Sequence, residues 1–133
     1  MKHFRYPLML ILAGLLAAGC ATSYHPAGFS GGYLDQRLSP DTFAVGFVGN
    51  GYVPFEKARD YALLRASQLT IEAGFTHFTI IDEASNVNPG GTGAFSKSSA
   101  EFKIQCFAGK QESAGSYDAA FLQQSLRRKY NIQ

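Results

Sequence analysis

Alternation of apolar and polar residues predicts two strands in the first half of the chain. Within Thr42–Val48 every second residue, from Phe43 to Phe47, is bulky and apolar, which is the period of a strand with one buried face. Tyr33–Leu38 carries a weaker pattern of the same kind. Ser39-Pro40-Asp41, between the two segments, has residues typical of a turn. We therefore predict a β-hairpin.

A helical period follows this hairpin. Gly49-Asn50-Gly51 should end the strand, because Gly and Asn tolerate positive φ. Pro54 suits the first turn of a helix, and Gly74 stands where a C-terminal glycine cap is expected. A helix is thus predicted from Pro54 to about Ala73. Its apolar stripe is Phe55, Ala58, Ala62, Ala66, Leu69 and Ala73, and the side chains predicted to face away are Lys57, Asp60, Gln68 and Glu72.

Two further strands are predicted over Phe75–Asp82 and Ala100–Phe107, separated by a long polar loop over Glu83–Ser99. The side chains predicted to share the core face are Phe78, Ile80, Phe102, Ile104 and Cys106. After a loop over Ala108–Ser116, a last helix is predicted over Tyr117–Tyr130. For that helix we predict Ser116 as N-cap, Asp118 near the N-terminus and an apolar face of Tyr117, Phe121, Leu122 and Leu126.

The predicted order of elements is ββαββα. A helix that links two strands permits a right-handed crossover with those strands parallel. We predict an α+β fold, a small two-layer sandwich in which one sheet has helices packed on one face.

Composition narrows the class of protein. The chain has 133 residues, 46% hydrophobic and 17% charged, which fits one folded domain. A net charge of +2 is too small for the basic patch of a nucleic-acid-binding protein, so we expect no nucleic-acid partner. Two cysteines are too few for a disulfide framework or a four-cysteine zinc site.

The N-terminus has the order of an export signal. Met1–Pro7 is basic, Leu8–Leu16 is uninterrupted and apolar, and the small residues Ala17-Ala18-Gly19 precede Cys20. A membrane-spanning helix needs roughly 20 apolar residues, and this run is shorter. Removing residues 1–19 removes two basic residues and no acidic one, which leaves ten of each.

This segment resembles a bacterial lipoprotein signal, with Ala17-Ala18-Gly19-Cys20 as its lipobox, although Ala17 replaces the commoner leucine. The resemblance implies a diacylglyceryl group on the Cys20 thiol, cleavage between Gly19 and Cys20, and in many bacteria acylation of the new amine by a fatty acid such as palmitate. Two or more acyl chains anchor a protein stably. Ala21, where aspartate commonly favours retention in the inner membrane, implies the outer membrane. The alternative is a secretory signal cut nearby, with Cys20 left free.

The chain thus divides into a signal peptide (residues 1–19), a lipidated cysteine with a flexible tether (20–32) and a single α+β domain (33–133). The tether is inferred from its Gly, Ser and Pro content.

Short motifs across residues 32–130 carry a family resemblance. They are Gly32-Tyr33 with Asp35 and Leu38, Phe43-Ala44-Val45-Gly46-Phe47, Gly49-Asn50-Gly51, Asp60-Tyr61-Ala62-Leu63-Leu64-Arg65-Ala66, Leu69-Thr70, Ile104-Gln105-Cys106-Phe107, Phe121, Ser125-Leu126-Arg127 and Tyr130. The whole resembles a family of small uncharacterised proteobacterial lipoproteins first noted in Caulobacter. The resemblance implies a fold and a location; it transfers no catalytic residue.

Candidate chemistry is sparse. Cys106 and His77 are the pair to test for nucleophilic catalysis, which needs a histidine within hydrogen-bond reach of the thiol. The alternation predicts that they lie on opposite faces of the sheet, with Cys106 as a small buried apolar residue. His25 and His77 have no paired spacing, and the adjacent Asp82 and Glu83 should point apart, so no metal site or other cofactor is expected.

A small anion is the alternative ligand. The strand–Gly49-Asn50-Gly51–helix order resembles the geometry that presents backbone N–H groups to a phosphate or carboxylate. It lacks the further residues of known phosphate-binding loops, so a tight turn explains it too. Arg65 lies within an apolar stretch. Such an arginine usually pairs with a carboxylate or caps a helix C-terminus, and a ligand carboxylate or phosphate could take the same role.

Two surface segments complete the candidates. Arg127, Arg128 and Lys129 near the chain end suit either the helix dipole or an anionic envelope surface. The loop over Asn86–Ser99, with Phe95, is either a partner surface or disordered.

From the sequence we therefore predict an outer-membrane-anchored lipoprotein that is not an enzyme, whose domain interacts with envelope proteins, forms a scaffold or senses the envelope. The alternative is a periplasmic binding module for a small anion, using Gly49, Asn50, Gly51 and Arg65.

Overall fold

The computed structural model describes residues 22–87, 98–109 and 115–133. Gly19 and Cys20 therefore lie outside the described residues. The elements are β1 (Gly32–Ser39), β2 (Thr42–Val48), α1 (Phe55–Glu72), β3 (His77–Val87), β4 (Ser98–Phe107), β5 (Ser116–Asp118) and α2 (Ala119–Tyr130). The five strands form one sheet in the order β1-β2-β4-β3-β5, with every neighbouring pair antiparallel. The predicted α+β fold is confirmed, with β5 added to the predicted order.

The hairpin and the central strand follow their hydrophobic patterns. β1 pairs with β2 through the predicted turn, and Phe43, Val45 and Phe47 are buried. In β4 the apolar residues are buried and the alternating polar ones are exposed. β2 and β3 both pair antiparallel with β4, so they run parallel to each other on either side of it, as the connecting helix predicted.

Helix α1 is buried more widely than its predicted stripe. Tyr61, Leu63 and Leu64 are buried together with the alanines, because α1 packs between the sheet and α2. For the same reason Asp60 does not face away from the protein: it accepts hydrogen bonds from Lys129 Nζ and the Tyr130 hydroxyl, both at 2.7 Å. The hydrophobic pattern of α1 could not predict this burial, because it depends on contacts with α2.

The two ends of α1 use different chemistry. Gly74 has φ +87° and donates to Ile71 O, while Phe75 N–H donates to Thr70 O, which closes the helix in a Schellman motif as the glycine predicted. Before the helix, Gly49 has no positive φ, so the predicted reason for that glycine is wrong. A Cβ on Gly49 would lie 2.6 Å from Val53 Cβ, so glycine is required there by close packing.

The predicted long loop is shorter than expected. β3 continues to Val87 and β4 begins at Ser98, because residues 83–87 pair in register with Ser98–Phe102 despite their polar side chains. The rest of that loop, residues 88–97 with Phe95, lies outside the described residues.

The start of the last helix also differs from the prediction. Asp118 is the N-cap, and its Oδ1 accepts from Phe121 N–H at 2.9 Å; Ser116 belongs to β5. Tyr117 stacks on Phe78 with ring centroids 5.1 Å apart, so Tyr117 belongs to the sheet and not to α2. Phe121 is 70% exposed, so its predicted place on the apolar face is wrong. Pairing with β3 overrode the helical pattern here.

Candidate functional site

The N-terminal segment, Thr22–Gly31, is built into the domain. Thr22 is 3% exposed, and the ring of Tyr24 lies 4.8 Å from that of Tyr33 and 5.4 Å from that of Tyr61. Backbone bonds continue the attachment: Ala27 N–H donates to Tyr33 O at 2.7 Å, and Tyr33 N–H donates to His25 O at 2.8 Å. The predicted flexible tether is therefore wrong for Thr22–Gly32, because the buried Thr22, the partly buried Tyr24 and edge hydrogen bonds outweigh a composition typical of linkers.

Two glycines allow the chain to turn from this segment into β1. Gly31 and Gly32 have φ +101° and +127°, which disfavour any residue with a Cβ. A Cβ on Gly31 would lie 2.2 Å from Val48 O, and one on Gly32 would lie 2.6 Å from His25 O. Both glycines are therefore required by conformation and by close approach.

Thr22 joins the segment to the turn before α1. Its hydroxyl donates to Ser30 O at 2.9 Å and accepts from Asn50 N–H at 3.0 Å. The turn is satisfied internally at other points too, since Gly49 N–H donates to Ser98 O and Tyr52 N–H donates to the side-chain oxygen of Asn50. Two of the N–H groups predicted to hold an anion thus have partners within the protein.

Arg65 joins α1 to β1 beside the segment. Its Nε lies 2.6 Å from Asp35 Oδ2, its guanidinium lies 4.7 Å from the centre of the Tyr33 ring, and its Nη1 donates to Gln68 Oε1 at 3.3 Å. Gln68 Oε1 also accepts from the Tyr24 hydroxyl. Burial disfavours the charge, but the hydrogen bond and charge of Asp35 prevail, and the pKa of Arg65 is raised.

The residues predicted to bind one anion are not brought together. Arg65 lies ten residues after the start of α1, which at 1.5 Å per residue separates it from the Gly49-Asn50-Gly51 turn by about 15 Å along the helix. Asn50 instead bonds Thr22 of the N-terminal segment, whereas Arg65 bonds Asp35 of β1 and Gln68, and Gln68 in turn bonds Tyr24. We call the residues that contact the segment or support those contacts the clamp: Tyr33, Asp35, Asn50, Tyr61, Arg65 and Gln68.

The sequence predicts only two members of the clamp, Asn50 and Arg65, as candidate site residues, and it predicts the segment beside the clamp to be a tether. Gln68 is predicted to face away, but it bonds both Tyr24 and Arg65. The available signal was Tyr24 itself, a large aromatic residue among small and polar ones, followed by Gly31-Gly32.

Replacing the Thr22 hydroxyl tests the attachment. Thr22→Val keeps the shape of the side chain but removes both the donor to Ser30 O and the acceptor of Asn50 N–H. We expect the free energy of unfolding to fall by about 1 kcal/mol, because two partly buried hydrogen bonds are lost. Urea titration of the mature protein measures it. The exposed neighbour Ser23 is the control, and a Thr22→Val loss no larger than that of Ser23→Ala would contradict the attachment.

Cys106 and His77 are held apart. Cys106 is 2% exposed and lies opposite Phe78 on the helix-covered face. His77 lies opposite Phe107, one residue out of phase and so on the other face, with its ring stacked on that of Phe107 at 6.0 Å. Burial raises the pKa of the Cys106 thiol, against a weaker opposing effect of its hydrogen bond with Thr70. This geometry supports a packing role for Cys106.

Thiol labelling tests that role. A maleimide reagent should modify Cys106 on the order of a thousandfold more slowly in the native protein than in denaturant, because access requires an opening that costs several kcal/mol. Peptide mapping after timed labelling identifies the modified cysteine. Equal labelling rates with and without denaturant would contradict the burial of Cys106 and would support a reactive role for its thiol.

The basic cluster at the chain end is partly neutralised. Lys129 Nζ lies 3.1 Å from Glu56 Oε1 and 2.7 Å from Asp60 Oδ2, both on α1. Burial and the Asp60 charge raise the pKa of the adjacent Tyr130 to about 12, so its hydroxyl stays a donor. Lys129 thus joins α2 to α1, while Arg128 remains exposed.

Within residues 22–87, 98–109 and 115–133, no group of three or more His, Cys, Asp and Glu side chains is placed to hold a metal ion. None of the helices in those ranges is long and apolar enough to cross a membrane. No family model matches the chain, and neither a curated protein nor a solved structure matches it significantly.

Proposed function

We propose that the protein is a lipoprotein anchored in the outer membrane by acylated Cys20, with its domain in the periplasm and a non-enzymatic role in contacts with other envelope components. One observation carries the proposal: the lipobox cysteine stands two residues before Thr22, a residue buried in the domain. An anchor at Cys20 would therefore hold the domain itself.

An anchor at Cys20 would hold the domain against the membrane. Consecutive Cα atoms are 3.80 Å apart, so the Cα atoms of Cys20 and Thr22 are separated by at most about 8 Å. The clamp holds the following residues, and Ala21 alone lies between the acylated cysteine and the fold. The domain would then move with its anchor, as suits a scaffold or a sensor of the envelope.

The separation of Cys106 from His77 supports a non-enzymatic role, and the second face of the sheet offers a surface for contacts. On that face Leu34 and Leu38 are nearly half exposed on β1. Beside Leu38, Glu101 and Lys103 line a shallow cavity of about 230 Å³. Apolar residues surrounded by both charges are typical of a protein–protein contact surface.

Site-specific photo-crosslinking in cells tests the proposal. A photoreactive residue replaces Leu38 on the exposed sheet face or, as the matched control, Gln124 on the exposed side of α2. Density-gradient separation then gives the membrane in which each product lies. We expect a discrete crosslinked product at position 38, absent at 124, in the outer-membrane fraction.

Two results would contradict the proposal. Protein outside the membrane fractions would exclude the anchor. An anchored protein with no product at position 38, or with the same products at both positions, would exclude the sheet face as the contact surface.

A further inference from the structure

Two aromatic side chains are exposed at the end of the domain where the chain enters it. Phe29 is fully exposed at 112% of its reference area, and Tyr52 is 58% exposed. Phe29 lies in the turn between the N-terminal segment and β1, and Tyr52 lies in the turn between β2 and α1. Exposed apolar residues that lie near one another are candidates for contact with another surface.

The attachment of Thr22 places both aromatics beside the anchor point. Thr22 Oγ1 bonds Ser30, the neighbour of Phe29, and Asn50, whose side chain accepts from Tyr52 N–H at 3.1 Å. Phe29 and Tyr52 thus flank the residue that lies two positions after Cys20.

The two segments that carry these aromatics contain no Asp, Glu, Lys or Arg, in a chain with 17% charged residues; they are Thr22–Tyr33 and Val48–Phe55. The nearby Asp35 and Arg65 pair with each other, and Glu56, on the first turn of α1, pairs with Lys129. Segments without charged side chains avoid the large cost of moving ions out of water, so these two segments can approach a lipid surface.

We propose that this end, with Phe29 and Tyr52, lies in the headgroup region of the lipid bilayer and fixes the orientation of the domain. The inference rests on the proposed anchor at Cys20. The Cα atom of Cys20 is within about 8 Å of that of Thr22, comparable to the depth of one headgroup layer, so acyl chains in the membrane bring both aromatics to that layer. Tyrosine is enriched there because its ring is apolar and its hydroxyl is polar, and a phenylalanine ring can enter the boundary between headgroups and acyl chains.

The bilayer is the occupant that the chain's connectivity favours. A protein partner at this end would have to share the space that the acylated cysteine gives to lipid. Phe121, another exposed aromatic residue, lies elsewhere. It follows Asp118, which pairs with His77 at the start of β3, whereas the turn before Tyr52 bonds Ser98, which pairs with Val87 at the end of β3. The lipid surface should therefore contact Phe29 and Tyr52 and leave Phe121 in water.

Tryptophan fluorescence tests the orientation, because the chain contains no tryptophan. The variants Phe29→Trp and Tyr52→Trp and the control Phe121→Trp are purified as the full mature protein from membranes. Each is placed in vesicles of phosphatidylethanolamine and phosphatidylglycerol, with and without brominated acyl chains as quencher. Circular dichroism establishes that each variant is folded. With two test positions, the orientation can still be tested if one of the two variants does not fold.

We expect the emission of Phe29→Trp and Tyr52→Trp to shift to shorter wavelength in vesicles and to be quenched by the brominated lipid, while Phe121→Trp shows neither change. Equal quenching at all three positions, or quenching at none, in protein that floats with the vesicles would overturn the orientation and leave the anchor intact. Protein that does not float, and carries no acyl group by mass spectrometry, would overturn the anchor and the orientation together.

Discussion

Cys20→Ala is expected to move the protein from the membrane fraction to the soluble fraction or to leave it unprocessed. The thiol is the atom that a diacylglyceryl group would modify, and alanine offers no nucleophile in its place. A single acyl chain holds a protein only marginally and two or more hold it stably, so losing all of them should remove the anchor completely. Fractionation with a labelled fatty acid measures both location and acylation.

The second cysteine supplies the matched control. Cys106 is buried in the core, so Cys106→Ala should leave fractionation and labelling unchanged while slightly lowering stability. If Cys20→Ala is still processed, labelled and found with the membrane, the lipobox interpretation is wrong. Labelling lost in Cys106→Ala but kept in Cys20→Ala would also contradict it.

Phe47→Ala is expected to cause the largest loss of stability. Phe47 is fully buried on β2 between β1 and β4, and its ring lies edge-on to that of Tyr61 at 4.9 Å. Truncating a buried phenylalanine costs about 3–5 kcal/mol through lost burial and the remaining cavity. A domain of this size is stable by roughly 5–15 kcal/mol, so the variant should be close to unfolding.

The same truncation at Phe121 is the control. That side chain is 70% exposed, so Phe121→Ala should change the free energy of unfolding by less than about 0.5 kcal/mol. Urea unfolding followed by circular dichroism measures both variants. Similar losses at positions 47 and 121 would show that Phe47 is not part of the core. Because Tyr61 also contacts Tyr24, Phe47→Ala should loosen the N-terminal segment as well.

The sequence predicted the elements whose own side chains determine them. In β4 buried and exposed residues alternate, and in β2 the bulky residues at every second position are buried, so the period of the sequence agrees with the burial. The end of α1 was predictable because Gly74 supplies the positive φ that its cap requires. In each case the signal lies within the element.

Elements determined by distant partners were not predictable in this way. β5 has three residues and forms by pairing with His77–Thr79, so no periodic pattern marks it. The polar end of β3 is a strand because β4 pairs with it. The N-terminal segment has the composition of a linker, and its order depends on Thr22 and Tyr24 reaching residues 28 and 44 positions further along the chain.

The candidate site was found in part. Arg65 and Asn50 were singled out because an arginine in an apolar stretch and a strand–turn–helix junction both need partners. The sequence could not tell whether those partners come from the chain or from a ligand, since a carboxylate or hydroxyl oxygen has the same chemistry in either case. The structure supplies Asp35 and Thr22 as the partners.

The intact mass and N-terminal sequence of the protein purified from membranes test whether Cys20 is the anchor. We expect a chain that begins at Cys20 and carries a diacylglyceryl group on sulfur, with or without a further acyl chain on the amine. An unmodified Cys20, or a mature chain that begins at another residue, would contradict it.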